Sequence, residues 1–218
     1  MQKKQMWIVG IVAVVVIGVG IGIIMMTRQT TTPAASTDRV DHGGHMPAVE
    51  QESALYQQYA ALKGEEYDKA FIGDMIIHHE GAVNMAELAM AQASHQEIKD
   101  LAATIVSSQS KEIADMKQWQ QNWGYPVSSG HGMHGGSSGD MQEDMAAMGT
   151  ELQTLSGDAF DKKFLELMIE HHQQAIDMAK PADANAQHSE VKDMAKAIIA
   201  AQTKEIETMR QWQKEWWQ

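Results

Sequence analysis

Residues 71–123 of this chain occur twice. Shifted by 93 positions they lie on residues 164–216 without a gap, and about half of the positions are then identical. Phe71, Met75, His78, His79, Ala82, Met85, His95, Glu97, Gln109, Glu112, Met116, Trp119 and Trp123 return as Phe164, Met168, His171, His172, Ala175, Met178, His188, Glu190, Gln202, Glu205, Met209, Trp212 and Trp216. Within a copy the apolar residues recur at helical spacing: Phe71, Met75, Ala82, Met85 and Ala89 on one helix, then Ile98, Leu101, Ile105, Ile113, Met116 and Trp123 on the next. Each copy is therefore a helical hairpin. Neither hairpin can bury its apolar face alone, so the two are expected to pack into one all-α four-helix bundle with a pseudo-twofold relation.

The helix ends have local signals. Ser94 with Glu97 has the spacing of a capping box for the second helix, Gly124 and Pro126 end that helix, and Pro181 ends the third. The second copy has Gln187 at the cap position and lacks the box. Short additional helices are expected around residues 50–63 and 140–155.

Ahead of the repeats, Met6 to Met26 carries no charged residue and matches the roughly 20 apolar residues that cross a bilayer. Lys3 and Lys4 precede it, which orients the rest of the chain out of the cytoplasm. Residues 1–28 thus read as an N-terminal membrane anchor with one transmembrane helix; a cleaved signal peptide would have an apolar core of only about 7–15 residues. Residues 29–49 form a Thr-, Pro- and Gly-rich tether containing His42, His45 and Met46, and residues 128–139 form a Gly- and Ser-rich linker containing His131, Met133 and His134. The first hairpin unit spans 50–127 and the second 140–218.

Charge and composition narrow the partners. A net charge of −12 with no basic stripe argues against nucleic acid and for cations. The chain has 17 methionines and 10 histidines but no cysteine, which excludes disulfides and thiolate metal sites. At 100° per residue His78 and His79 diverge around their helix, with Met75 one turn before and Ala82 one turn after, lying between them. The thioether approaches the imidazoles from one side and the small Ala side chain leaves room on the other. The same pocket is expected at Met168, His171, His172 and Ala175. Met85 lies about 10 Å along the axis from His78, so it belongs to the core or to a second site. His95, near the hairpin turn, serves another ion or none. The returning helix brings Gln109 and Glu112 level with the histidine pair, and Glu112 is a candidate to fix an imidazole tautomer. Thioether and imidazole without thiolate suit copper, above all Cu(I), and silver for the same reason. A di-iron site wants Glu-x-x-His motifs, and Glu166 lies five residues before His171 with Gly73 as its counterpart.

The combined motif Met-x-x-His-His-x-x-Ala-x-x-Met-Ala, then His-x-Glu-Ile-Lys and Gln-x-Lys-Glu-Ile-x-x-Met-x-x-Trp, resembles the domain of unknown function 305 family, which includes CopM-like periplasmic copper-binding proteins. The resemblance runs from about Tyr67 to the C-terminus in two copies. It implies a ferritin-like bundle and copper ligation through Met75, His78, His79, Met85, His95 and Met116, with Met168, His171, His172, Met178, His188 and Met209 in the second copy. Pro181 and Asp183 stand where the first copy has Leu88 and Met90, so the copies are expected to differ.

The expectation is an anchored, extracytoplasmic protein, not an enzyme, that sequesters or hands over Cu(I), with Cu(II) as a second form, to a transfer partner. A metal-dependent oxidase of Cu(I) and a metal-free structural module of the envelope are the alternatives.

Overall fold

A computed structural model describes residues 52–126 and 137–217. Seven helices occupy them: α1 (Ala54–Ala61), α2 (Glu65–Gln92), α3 (Gln96–Trp123), α4 (Ser137–Gln153), α5 (Gly157–Ala179), α6 (Ala182–Asn185) and α7 (Ser189–Trp217). No strand occurs among the described residues, and no helix among them is long and apolar enough to cross a membrane. The expected anchor, the 29–49 tether and the His131, Met133 and His134 tract lie outside the described residues.

Each repeat supplies one long hairpin, α2 with α3 and α5 with α7, and the hairpins meet along α2 and α5. The helix starts obey the repeat. Gly64 and Gly157, equivalent under the 93-residue shift, take positive φ of 59° and 62° just where α2 and α5 begin, a conformation a side chain would resist. Gly124 closes α3 in the left-handed region, and α5 stops at Ala179, two residues before Pro181. The two short helices expected from the sequence are present as α1 and α4.

The capping box expected from Ser94 and Glu97 does not form: the cap residue of α3 is His95, with no side-chain cap bond. A long-range cap replaces it. The fully buried Asp161 of α5 accepts hydrogen bonds from the backbone amides of Ser94 (2.9 Å) and His95 (2.9 Å) and from His95 Nδ1 (2.6 Å). Asp68 of α2, Asp161's counterpart under the shift, accepts from the amides of Gln187 and His188 at 3.0 Å each and from His188 Nδ1 at 2.6 Å. A carboxylate at a helix N-terminus satisfies free amides and favours the helix dipole, and a charged acceptor outcompetes the Ser94 hydroxyl. Each repeat therefore caps the second helix of the other, which ties the hairpins together at both ends.

The short helices cross over as well. α1 lies against α5, with Ser53 Oγ donating to Asp177 Oδ2 at 2.6 Å, and Tyr59 Oη reaches Asp74 Oδ2 on α2 at 2.6 Å. α4 lies against α2 through a buried stripe of Met141, Met145, Met148 and Leu152. That approach is close at Gly81, where any Cβ would meet Met145.

Candidate metal centre

Helical periodicity turns one face of α2 and one face of α5 inward, and both faces carry a His-His pair. All four rings, His78, His79, His171 and His172, are fully buried. The sequence pattern predicts a separate pocket in each copy; the packing merges them. His78 and His171 lie ring against ring with centroids 3.6 Å apart, while within each copy the two rings are 6.2 Å and 6.0 Å apart. The reason is the antiparallel meeting of α2 and α5, which brings equivalent residues together at the pseudo-twofold axis.

Hydrogen bonding sets the tautomers. His79 Nε2 is 2.7 Å from Glu112 Oε2, and His172 Nε2 is 2.6 Å from Glu205 Oε2. An ionised carboxylate only accepts, so each Nε2 donates and Nδ1 is the nitrogen left to ligate. This is the role anticipated for Glu112, realised in both copies. His171 Nε2 donates to the backbone carbonyl of His78 at 2.8 Å.

What remains is a set of buried imidazole nitrogens with no hydrogen-bond partner: both nitrogens of His78 and Nδ1 of His79, His171 and His172. Oε1 of Gln109 and Oε1 of Gln202 are in the same condition. Each such group costs about 1–3 kcal/mol when left unpaired in the interior; a neutral ring has one lone pair, so the four histidines offer one each, a site shaped for something that pairs with lone pairs. Burial pushes the pKa of His78 and of His171 well below the ordinary histidine value, and the neighbouring histidines push the same way. The neutral ring is the metal-binding form. Unpaired nitrogen lone pairs, neutral rings and an apolar surround together fit a soft or borderline cation.

The candidate thioethers Met75, Met85, Met116, Met168, Met178 and Met209 are all fully buried in the same core. His95 and His188 are not at the centre. They open α3 and α7 at opposite ends of the bundle, about 20 Å of helix from the histidine pairs. There His95 stacks on Trp216 at 3.9 Å and His188 on Trp123 at 3.7 Å, each ring also held by its aspartate. Asp158 joins His95 and Asp161 in a cluster whose ligand atoms all lie within 4.8 Å of one another. Sequence reading missed Asp68 and Asp161, although both obey the 93-residue shift just outside the aligned block.

The family described as "Domain of unknown function (DUF305)" matches residues 25–118 and 68–213. The chain belongs to the DUF305 family. Among solved structures, this DUF305 protein is similar to CopM in the Cu(II)-bound form, at 36% identity over 72% of this chain and 99% of that one, with a TM-score of 0.60. It is similar to CopM in the Cu(I)-bound form at 36% identity over 69% and 98%, with a TM-score of 0.57. A DUF305 protein of Streptomyces coelicolor, described as secreted, shares 30% identity over 68% and 93%, with a TM-score of 0.60. No match was found among curated proteins.

Proposed function

We propose that this DUF305 protein binds copper at the four-histidine centre, Cu(I) in preference and Cu(II) as a second form, and sequesters or hands it over outside the cytoplasmic membrane. The observation that carries this reading is the group of five buried imidazole nitrogens without partners, set in a core of buried thioethers. Glu112 and Glu205 hold the outer two rings with their lone pairs free, as carboxylates do behind metal-bound histidines. CopM, similar over nearly its whole length, has been solved with each form of copper. Full burial of the four rings favours retaining an ion over turning over a substrate. The relative described as secreted supports an extracytoplasmic place, and the apolar stretch from Met6 to Met26 is the ground for a membrane anchor.

The test is a competitive Cu(I) titration of the full chain against a chromophoric chelator, under reducing and anaerobic conditions. Tight binding that disappears when His78, His79, His171 and His172 are all changed to Ala, with helicity kept, is the expected result. Unchanged affinity in that variant would remove the centre from copper handling.

A further inference from the structure

Three of the four central rings have an acceptor that orients them. His79 has Glu112, His172 has Glu205, and His171 has the backbone carbonyl of His78. His78 has none. Both of its ring nitrogens lack a hydrogen-bond partner, although a neutral imidazole carries one N–H as well as one lone pair. This ring breaks the twofold pattern, because its counterpart His171 is held and it is not.

Helix geometry shows which residue stands by that ring. Asp161, near the start of α5, caps Ser94 and His95 just past the end of α2, so α2 and α5 run in opposite directions. With His78 against His171, position 174 comes level with Met75 and position 81 level with Met168. Helical side chains lean toward the N-terminus of their own helix, so the His78 ring tilts toward the level of 174 and the His171 ring toward that of 81. These two positions are equivalent in the repeat but hold different residues, Gln174 and Gly81. Gly81 offers His171 no side chain, and His171 needs none because it already holds a carbonyl. Gln174 is half-buried and offers an amide on the side where His78 has nothing. Burial and the neighbouring histidines lower the pKa of His78, while the Gln174 side chain, close by, opposes them. The contact stops short of a hydrogen bond.

We propose that Gln174 is the positioning residue of His78: its amide oxygen accepts the N–H of that ring when copper binds and leaves the other nitrogen to ligate. This rests on the copper reading and names the acceptor that completes the set of four. Closing the contact takes a movement of the His78 ring or of the Gln174 amide, so His78 is the ligand that adjusts as the ion loads. An amide is a neutral acceptor and raises the basicity of its ring less than the carboxylates of Glu112 and Glu205 do. His78 is then the most weakly held of the four ligands and the first to let go in a transfer.

The experiment compares Gln174→Leu, Gln174→Glu and, as a control, the exposed neighbour Gln173→Leu in the full chain. Leu fills similar space without an acceptor, and Glu keeps one. Cu(I) affinity is read by chelator competition, and the state of His78 by nitrogen NMR chemical shifts of the Cu(I)-loaded protein, which is diamagnetic. Gln174→Leu is expected to weaken Cu(I) by about tenfold or more, while Gln174→Glu and the control stay within about threefold of the parent. In the parent and the Glu variant His78 shows one protonated and one ligating nitrogen; in the Leu variant that pattern is lost. If Gln174→Leu binds Cu(I) as the parent does, Gln174 positions nothing and the histidine centre stands without it. If the Glu variant is as weak as the Leu variant, the loss is one of packing and the acceptor role falls. If the parent protein itself fails to bind Cu(I), the copper reading falls and takes this one with it.

Discussion

The centre of the bundle and its two ends are both built from histidines that recur in each repeat, yet they are satisfied in opposite ways. At the ends, His95 and His188 each have Nδ1 on a buried aspartate at 2.6 Å and a tryptophan of the other repeat stacked on the ring. Near His188 the Tyr125 hydroxyl lies 3.3 Å from Nδ1; its pKa is pushed up to about 12 by burial and by the charges of Asp68 and Glu65, so it keeps its proton. These histidines finish helix starts. At the centre, four rings are fully buried and five of their nitrogens have no hydrogen-bond partner in the protein. Recurrence alone therefore does not mark a ligand; a buried ring nitrogen without a protein partner does.

Separating the two roles gives the largest effect first. Asp161→Ala removes the acceptor for the Ser94 and His95 amides and for His95 Nδ1, and is expected to cost about 3–5 kcal/mol, on the order of 10 °C in Tm. Copper affinity should remain within a few-fold of the parent's. A matching loss of affinity in the same variant would show that ends and centre are not independent.

Acid should act on the centre. Stability rises with pH wherever the unfolded chain binds more protons than the folded one. His78 and His171 titrate near 6.5 when unfolded and well below that when buried, so between those values only the unfolded chain is protonated. The metal-free protein is expected to hold full stability above about pH 7 and to lose up to about 1.4 kcal/mol per pH unit for each of the two as pH falls below 6.5. Denaturant titrations from pH 7.5 to 5, repeated with His78→Leu and His171→Leu combined, check this. A slope that survives in the double variant would assign it to other groups.

The smallest effect concerns the carboxylates behind the rings. Glu112→Gln and Glu205→Gln keep an oxygen near Nε2 but lose its charge, and each is expected to weaken copper by about 10–100-fold. Stability should change by less than about 1 kcal/mol, because both glutamates are partly exposed. Chelator competition reads the first quantity and thermal melts the second. Equal losses in the two variants would fit repeats that serve one centre; a loss confined to one would mean that the two copies bind unequally.

The four long helices are legible in the repeat, the apolar periodicity and the chain-breaking residues. The burial of His78 and His79 and the reach of Glu112 to His79 are legible too, because spacing on a helix and across a hairpin is set by 3.6 residues per turn and the position of the turn. The capping box at Ser94 misleads because local spacing cannot reveal a carboxylate arriving from another helix; Asp161 is 67 residues from Ser94.

By itself, then, the sequence determined two like hairpins, each presenting a buried His-His face, because helical periodicity and repetition are properties of one dimension. Only the tertiary structure decided that those faces meet on a single axis and make one centre instead of two. It also decided that aspartates cross to cap the opposite repeat. Those outcomes depend on which surfaces touch, and contact between distant helices is set by packing volume and by charge that must be buried with a partner.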